Sequence, residues 1–251
     1  MSRRGRLAVF VVGAVGAAVL LASGLAKLPG FGHYRGPYGF IINREGVPER
    51  HATNVVNTLI FDYRGFDTVG EEFILFAAVM GVTLLLRVQR DEHEESPHDE
   101  ADERHAFPTS DAVRVSGLVL IAPLVLLGMY TVMHGAITPG GGFQGGAVLA
   151  GAPLLVYAAG RYVVFRRVSP LVALDLGEGI GAAGFVVVGL IGLVAGVAFL
   201  DNVFGLGLVG SVFSGGDLPI INVFVGLEVA AGMVLVAYEF LEQTLAVRGK
   251  R

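Results

Sequence analysis

Glu228 is the residue in this sequence best placed to do chemistry. It lies in an apolar run, Pro219 to Phe240, nine residues from one end and twelve from the other. A run of that length crosses a bilayer, so the carboxyl falls near the midplane. An unpaired charge there costs roughly 3 kcal/mol on insertion scales, and such groups mostly mark ion or proton paths. Two readings stand side by side. In one, Glu228 exchanges a proton or cation; in the other it is a neutral carboxyl that hydrogen-bonds a neighbouring helix. Ala231 and Gly232, one turn on, leave its face narrow enough to pack tightly. Glu178, with Asp175, opens a second apolar run, Leu176 to Leu200, and Glu71 and Glu72 lead into a third, Phe73 to Val88. At a helix start a carboxylate is also favoured simply by the dipole. Asp62, Asp67 and His134 complete the titratable groups beside apolar segments.

Other chemistries are excluded or weak. The sequence has no cysteine, which removes disulfides, thiolate metal sites and Cys nucleophiles. No nucleophile–base set stands out, so no enzymatic activity is expected. His93, His98 and His105 match no standard metal spacing, and neither a metal, a cofactor nor a nucleic-acid partner is expected. Gly140, Gly142 and Gly145 form a G-x-G-x-x-G, but a membrane-length run rather than a strand precedes it and no acid follows about 20 residues on.

The elements that must hold these groups are membrane helices. Of 251 residues, 53% are hydrophobic and 16% charged, a balance typical of integral membrane proteins in the lipid bilayer. The pattern predicts an all-α, polytopic protein of about six spans: Leu7–Leu28, Phe73–Val88, Val113–Met133, Ala147–Val164, Leu176–Leu200 and Pro219–Phe240. Arginines after Met1 and at the ends of alternate spans place both termini in the cytoplasm by the positive-inside rule, in a multi-pass protein of the cell membrane. Pro29 to Arg50 reads as a Gly/Pro-punctuated loop. Asn54 to Phe66 reads as a short amphipathic helix lying on the membrane or against a partner. Residues 91–104 contain eight acids and read as a solvated linker, dividing a two-helix module (1–90) from a four-helix domain (111–251) across an acidic segment (91–110). Glycines in the fifth run, Gly177, Gly181, Gly184, Gly189, Gly192 and Gly196, fall within about 140° of one helix face, the side that also carries Glu178. Thr138-Pro139-Gly140-Gly141-Gly142-Phe143-Gln144-Gly145-Gly146 is expected to continue neither flanking helix. It should form irregular backbone packed into protein, with Phe143 as its anchor.

His134 with the Thr138–Gly146 segment, then Phe213-Ser214-Gly215-Gly216, then Pro219-Ile220-Ile221-Asn222-Val223 leading to Gly226-Leu227-Glu228, resemble the B-type subunit of the Mrp-type (multiple resistance and pH) cation/proton antiporters, the MnhB family, over roughly residues 111–243. Asp62-Tyr63-Arg64-Gly65-Phe66-Asp67-Thr68-Val69-Gly70-Glu71 resembles the C-terminal end of the large, A-type antiporter subunit, and also a small subunit of membrane-bound hydrogenases. The resemblance implies a subunit of a hetero-oligomeric Na+/H+ antiporter related to respiratory complex I, with Na+ and H+ as transported ions. It equally implies the alternative of a structural subunit in a complex I-related hydrogenase or oxidoreductase. The lysines that serve the large subunits' proton channels are absent, since the core of no predicted span contains one.

Overall fold

A computed structural model describes residues 3–28, 36–86, 110–159 and 162–248. It divides into two compact units, residues 1–40 and 41–251. The acidic segment 91–104, His93, His98 and His105 lie outside the described residues. In the first unit, α1 (Arg3–Ala26) is one continuous apolar helix.

The regular structure of the second unit is all helix among its described residues, and α9 (Leu218–Arg248) is its centre. Against α9 pack α4 (Gly65–Leu86), α5 (Asp111–Met133), α6 (Gly142–Ala158) and α8 (Leu171–Val194). Between α6 and α8 runs the two-turn α7 (Tyr162–Val168). Five described helices, α1, α4, α5, α8 and α9, are long and apolar enough to cross a membrane; α6 is apolar but shorter, at 17 residues. The core forms two clusters along α9. One gathers Leu218, Ile221, Val225 and Val229 with Phe61 and Phe185; the other gathers Val234 and Tyr238 with Val156 and Phe165. Each fully buried aliphatic or aromatic side chain here contributes about 1.5–3 kcal/mol where it leaves water. Against lipid, close packing replaces that gain.

Several sequence expectations are corrected. The second half of the Pro29–Arg50 stretch is helical: α2 (Tyr38–Arg50) carries Pro48 within it and buries Ile42 and Gly46. It ends where His51 turns to φ 55°, one of the few non-glycine residues to do so. The expected surface helix at 54–66 is instead α3 (Val55–Thr58) running into a π-helical turn, Leu59–Tyr63. It is buried against the chain's own C-terminal half, with Asn57, Thr58 and Phe61 at 2% exposure or less. A π turn widens the helix by one residue, which no 3.6-residue periodicity reveals. α4 begins at Gly65 rather than Phe73 and so includes Asp67, Glu71 and Glu72.

The glycine segment also differs from expectation. Its first part is irregular, and Gly140 (φ 148°) and Gly141 (φ 143°) take conformations that side chains rarely adopt. From Gly142 onward, however, it is already α6. Those later glycines serve close approach, not turning. A Cβ on Gly146 would stand 2.6 Å from the Gly226 carbonyl of α9, and one on Gly145 2.8 Å from the Gly128 carbonyl of α5. Phe143 is not the anchor, because its side chain is about half exposed on the outer side of α6. Gly196 likewise lies beyond α8, in the turn that ends it.

Candidate functional site

Three glutamates from three helices are buried together: Glu72 of α4, Glu178 of α8 and Glu228 of α9, at 6%, 2% and 0% exposure. Glycine makes the meeting possible. A Cβ on Gly181 would lie 2.6 Å from both the backbone nitrogen and the Cβ of Glu228, so α8 and α9 touch backbone to backbone at that residue. One turn further, a Cβ on Gly232 would meet Val79 Cγ2 of α4 at 3.0 Å and Glu178 Oε1 at 3.7 Å. Gly232 is thus the floor on which α4 and α8 converge.

The carboxyls of Glu72 and Glu228 face one another closely enough to interact, and Glu178 adds its field to Glu228. None of the charged groups acting on the three is basic. Both oxygens of Glu228, Oε2 of Glu72 and Oε1 of Glu178 accept no well-formed hydrogen bond. Buried carboxyls without a counter-charge can be neutralised only by protons or by a cation. This arrangement can therefore store and exchange either.

A second polar feature fixes α3 against α9. Asn57 Nδ2 donates to Asn222 Oδ1 (3.1 Å) while Asn222 Nδ2 donates to Asn57 Oδ1 (3.0 Å). The Gly142 N–H donates to the same Asn222 Oδ1 at 2.7 Å. Asn54 caps α3 and donates to the carbonyls of Gly135 (2.7 Å) and Thr138 (2.9 Å), holding the glycine segment from the other side. Asn54, Asn57 and Asn222 are all buried. A fully satisfied buried amide network of this kind specifies one arrangement of helices, since any shift orphans several groups. In the sequence Asn222 stands out only as part of a motif, and Asn57 only as a polar residue beside apolar ones.

The remaining candidates lie apart from the glutamate cluster. Glu71 and Asp67 are exposed, and Asp67 pairs with Arg64. Asp175 is also exposed. His134 caps the end of α5 and stacks on Tyr130 with ring centroids 4.0 Å apart. Asp62, in the π turn, forms an ion pair with Arg50 at 2.9 Å; burial pushes its carboxyl above the usual range, against the opposing pull of Arg50. Beside it, Tyr63 donates to Glu49, and burial together with that bond raises the phenol to about 12.

Comparison with known proteins places this geometry in a family. Residues 112–235 match the family described as a domain related to the MnhB subunit of Na+/H+ antiporter. Residues 3–102 match MbhE, the E-type subunit of MBH. The chain is 31% identical over 223 residues to an uncharacterized protein of Methanocaldococcus jannaschii, covering 77% of this chain and 80% of that one. It is 30% identical over 147 residues to a probable K(+)/H(+) antiporter A/B subunit of Rhizobium meliloti, covering 51% of this chain but only 15% of that far longer one. Among solved structures, a chain of the membrane-bound sulfane sulfur reductase (MBS), an archaeal respiratory membrane complex, is similar with TM-score 0.69 and 32% identity over 96% of this chain and 99% of its own. A chain of the Mrp complex from Dietzia sp. DQ12-45-1b is similar with TM-score 0.68 and 28% identity over 95% of this chain and 26% of its own. The chain belongs to the family of MnhB-related subunits and is a multi-pass membrane subunit of an Mrp-type antiporter or a related respiratory membrane complex.

Proposed function

We propose that this protein carries part of the cation–proton route of a Na+/H+ antiporter, with Glu228, Glu72 and Glu178 as the groups that hand the ion on. The observation that supports this reading most is the meeting of three buried carboxyls from three helices with no basic partner among the groups that act on them. A purely architectural subunit has no need of such a cluster, because apolar packing of equal volume is at least as stable. Residues 1–90 are read as the counterpart of the end of the A-type antiporter subunit, joined here to a B-type domain. The name of the rhizobial relative couples the same two subunits. Other membrane subunits are the partners, and lipid-facing side chains such as Leu85 and Val194 form the outer surface.

The competing reading is a structural subunit of a complex I-related oxidoreductase, favoured by likeness to the sulfane sulfur reductase chain and by the MbhE match. Co-expression with the neighbouring subunits in an antiporter-deficient host, followed by everted-vesicle assays, separates the two. Na+-driven proton movement by the assembled complex is the expected result. An assembled complex that moves no proton in response to Na+ or K+, yet supports substrate reduction, would overturn the proposal.

Sidedness gives an independent check. The chain has no cysteine, so single cysteines report cleanly. Those introduced at Ser2, Ser96 and Lys250 should be shielded from an impermeant thiol reagent in intact cells. One at Leu208, which is 81% exposed, should react from outside. Labelling of the Ser96 variant in intact cells would reverse the assigned orientation.

A further inference from the structure

At the loop end of α9, about 16 Å along the helix from Glu228, a second acidic group is buried with one carboxyl oxygen unpartnered. Asp217 occupies the N-cap position, its carbonyl accepting from the Ile220 and Ile221 N–H groups at 3.0 Å. An N-cap carboxylate ordinarily accepts amide hydrogens of the first turn. Here Oδ1 of Asp217 accepts nothing, although the residue is only 2% exposed. Ser214, fully buried three residues earlier, also leaves its hydroxyl unpartnered.

The surroundings are built rather than accidental. Asn202 bridges the segment, donating to the Gly215 carbonyl (2.8 Å) and accepting from the Asp217 N–H (3.2 Å). Gly215 (φ 85°) and Gly216 (φ 67°) turn the chain into α9. The charged groups acting on Asp217 are Asp62 of the π turn, Arg50 of α2 and Asp201 of the preceding loop. Asp201 is exposed, while Arg50 is already committed to Asp62 at 2.9 Å. The buried set therefore carries one negative charge in excess. A single positive charge balances it, and carboxylate and hydroxyl oxygens are ligands for a hard cation.

We propose that Asp217, with the Arg50–Asp62 pair near it, forms a site at the loop end of α9 where a monovalent cation such as Na+ competes with a proton. The proposal rests on the antiporter reading and adds to it an access site distinct from the glutamate cluster. Burial, then the charge of Asp62, pushes the Asp217 carboxyl up to about 7. Near neutral pH a large share of it is therefore protonated, and a bound cation releases that proton.

Infrared difference spectra of the assembled, purified complex test this without any transport step. Added just below neutral pH, NaCl should reduce the protonated-carboxyl band of the wild type while choline chloride does not. Asp217→Asn should reduce that cation-induced loss, and Asp111→Asn, at an acid whose side chain is 94% exposed, should leave it unchanged. A full response in Asp217→Asn, or an equal response to choline, would overturn the site. Should Asp217→Asn fail to assemble, Asp62→Asn decides the question. It frees Arg50 to pair with Asp217, so the response should shrink as in Asp217→Asn; a wild-type response there would equally refute the proposal. A complex that binds Na+ in this way but drives no antiport would instead count against the antiporter reading alone.

Discussion

Replacing Glu228 by glutamine should leave the complex assembled and cut cation-driven proton movement severalfold, or displace its pH optimum. Glutamine keeps the volume that fills the space over Gly181 and can still hydrogen-bond, but it cannot ionise. The loss should stop short of complete because Glu72 and Glu178 remain in the same buried cluster. A severalfold effect corresponds to somewhat less than about 1.4 kcal/mol on the limiting step. Glu72→Gln combined with Glu228→Gln removes both facing carboxyls and should take activity to background. The architectural alternative forecasts the reverse, since an amide mimics a carboxyl that only donates a hydrogen bond. Glu228 is fully buried within its own chain, so a partner subunit cannot reach it, yet neither of its oxygens accepts a well-formed bond. The measurement is antiport across pH in everted vesicles, with subunit levels checked by immunoblot. Wild-type activity at every pH in Glu228→Gln would assign the residue to architecture.

How much of this was readable in one dimension follows from the kind of signal each residue leaves. A charge inside a long apolar run is visible without any structure, so Glu228 and Glu178 stood out, as did the glycine face of α8. Glu72 could not be told from Glu71, because the answer depends on the phase of α4, and α4 starts eight residues earlier than hydropathy suggested. The acids that precede Phe73 masked its first two turns. The π turn concealed Asp62 in the same way: one extra residue per turn moves it off any regular face. Asp217 left no signal at all. It follows Ser214-Gly215-Gly216 in what reads as an ordinary polar loop, and only the folding of that loop back onto α2 and the π turn, through His51 Nδ1 at 2.7 Å from the Gly207 carbonyl, buries it. The glycine segment was legible as buried but not as helix. Glycine is the poorest ordinary helix former, and nothing in the local sequence shows that α5 and α9 approach too closely for any side chain at Gly142, Gly145 and Gly146.

Two glycines two residues apart on α8 should behave oppositely. Gly179→Ala meets nothing within 4 Å and should be neutral, or slightly favourable through helix propensity, which favours alanine by up to about 1 kcal/mol. Gly181→Ala places a methyl 2.6 Å from the Glu228 nitrogen and 2.7 Å from the Phe224 carbonyl. Those atoms belong to the backbone of α9 and cannot swing aside as a flexible side chain would. Ordinary carbon contacts need roughly 3.5–4.0 Å, so the two helices must separate by about 1 Å at the level of the carboxylate cluster. Overpacking of this kind typically costs about 1–3 kcal/mol. Here it also draws Glu178 away from Glu228 and loosens the Val79 and Glu178 contacts over Gly232. The expected outcome is a sharp fall in recovered complex and in antiport for Gly181→Ala, against unchanged levels for Gly179→Ala. Size-exclusion profiles of the solubilised complex, run in parallel with vesicle assays, measure both. Equal recovery and equal activity of the two variants would show that α8 and α9 do not meet at Glu228, and the three-helix carboxylate site would fall with that contact.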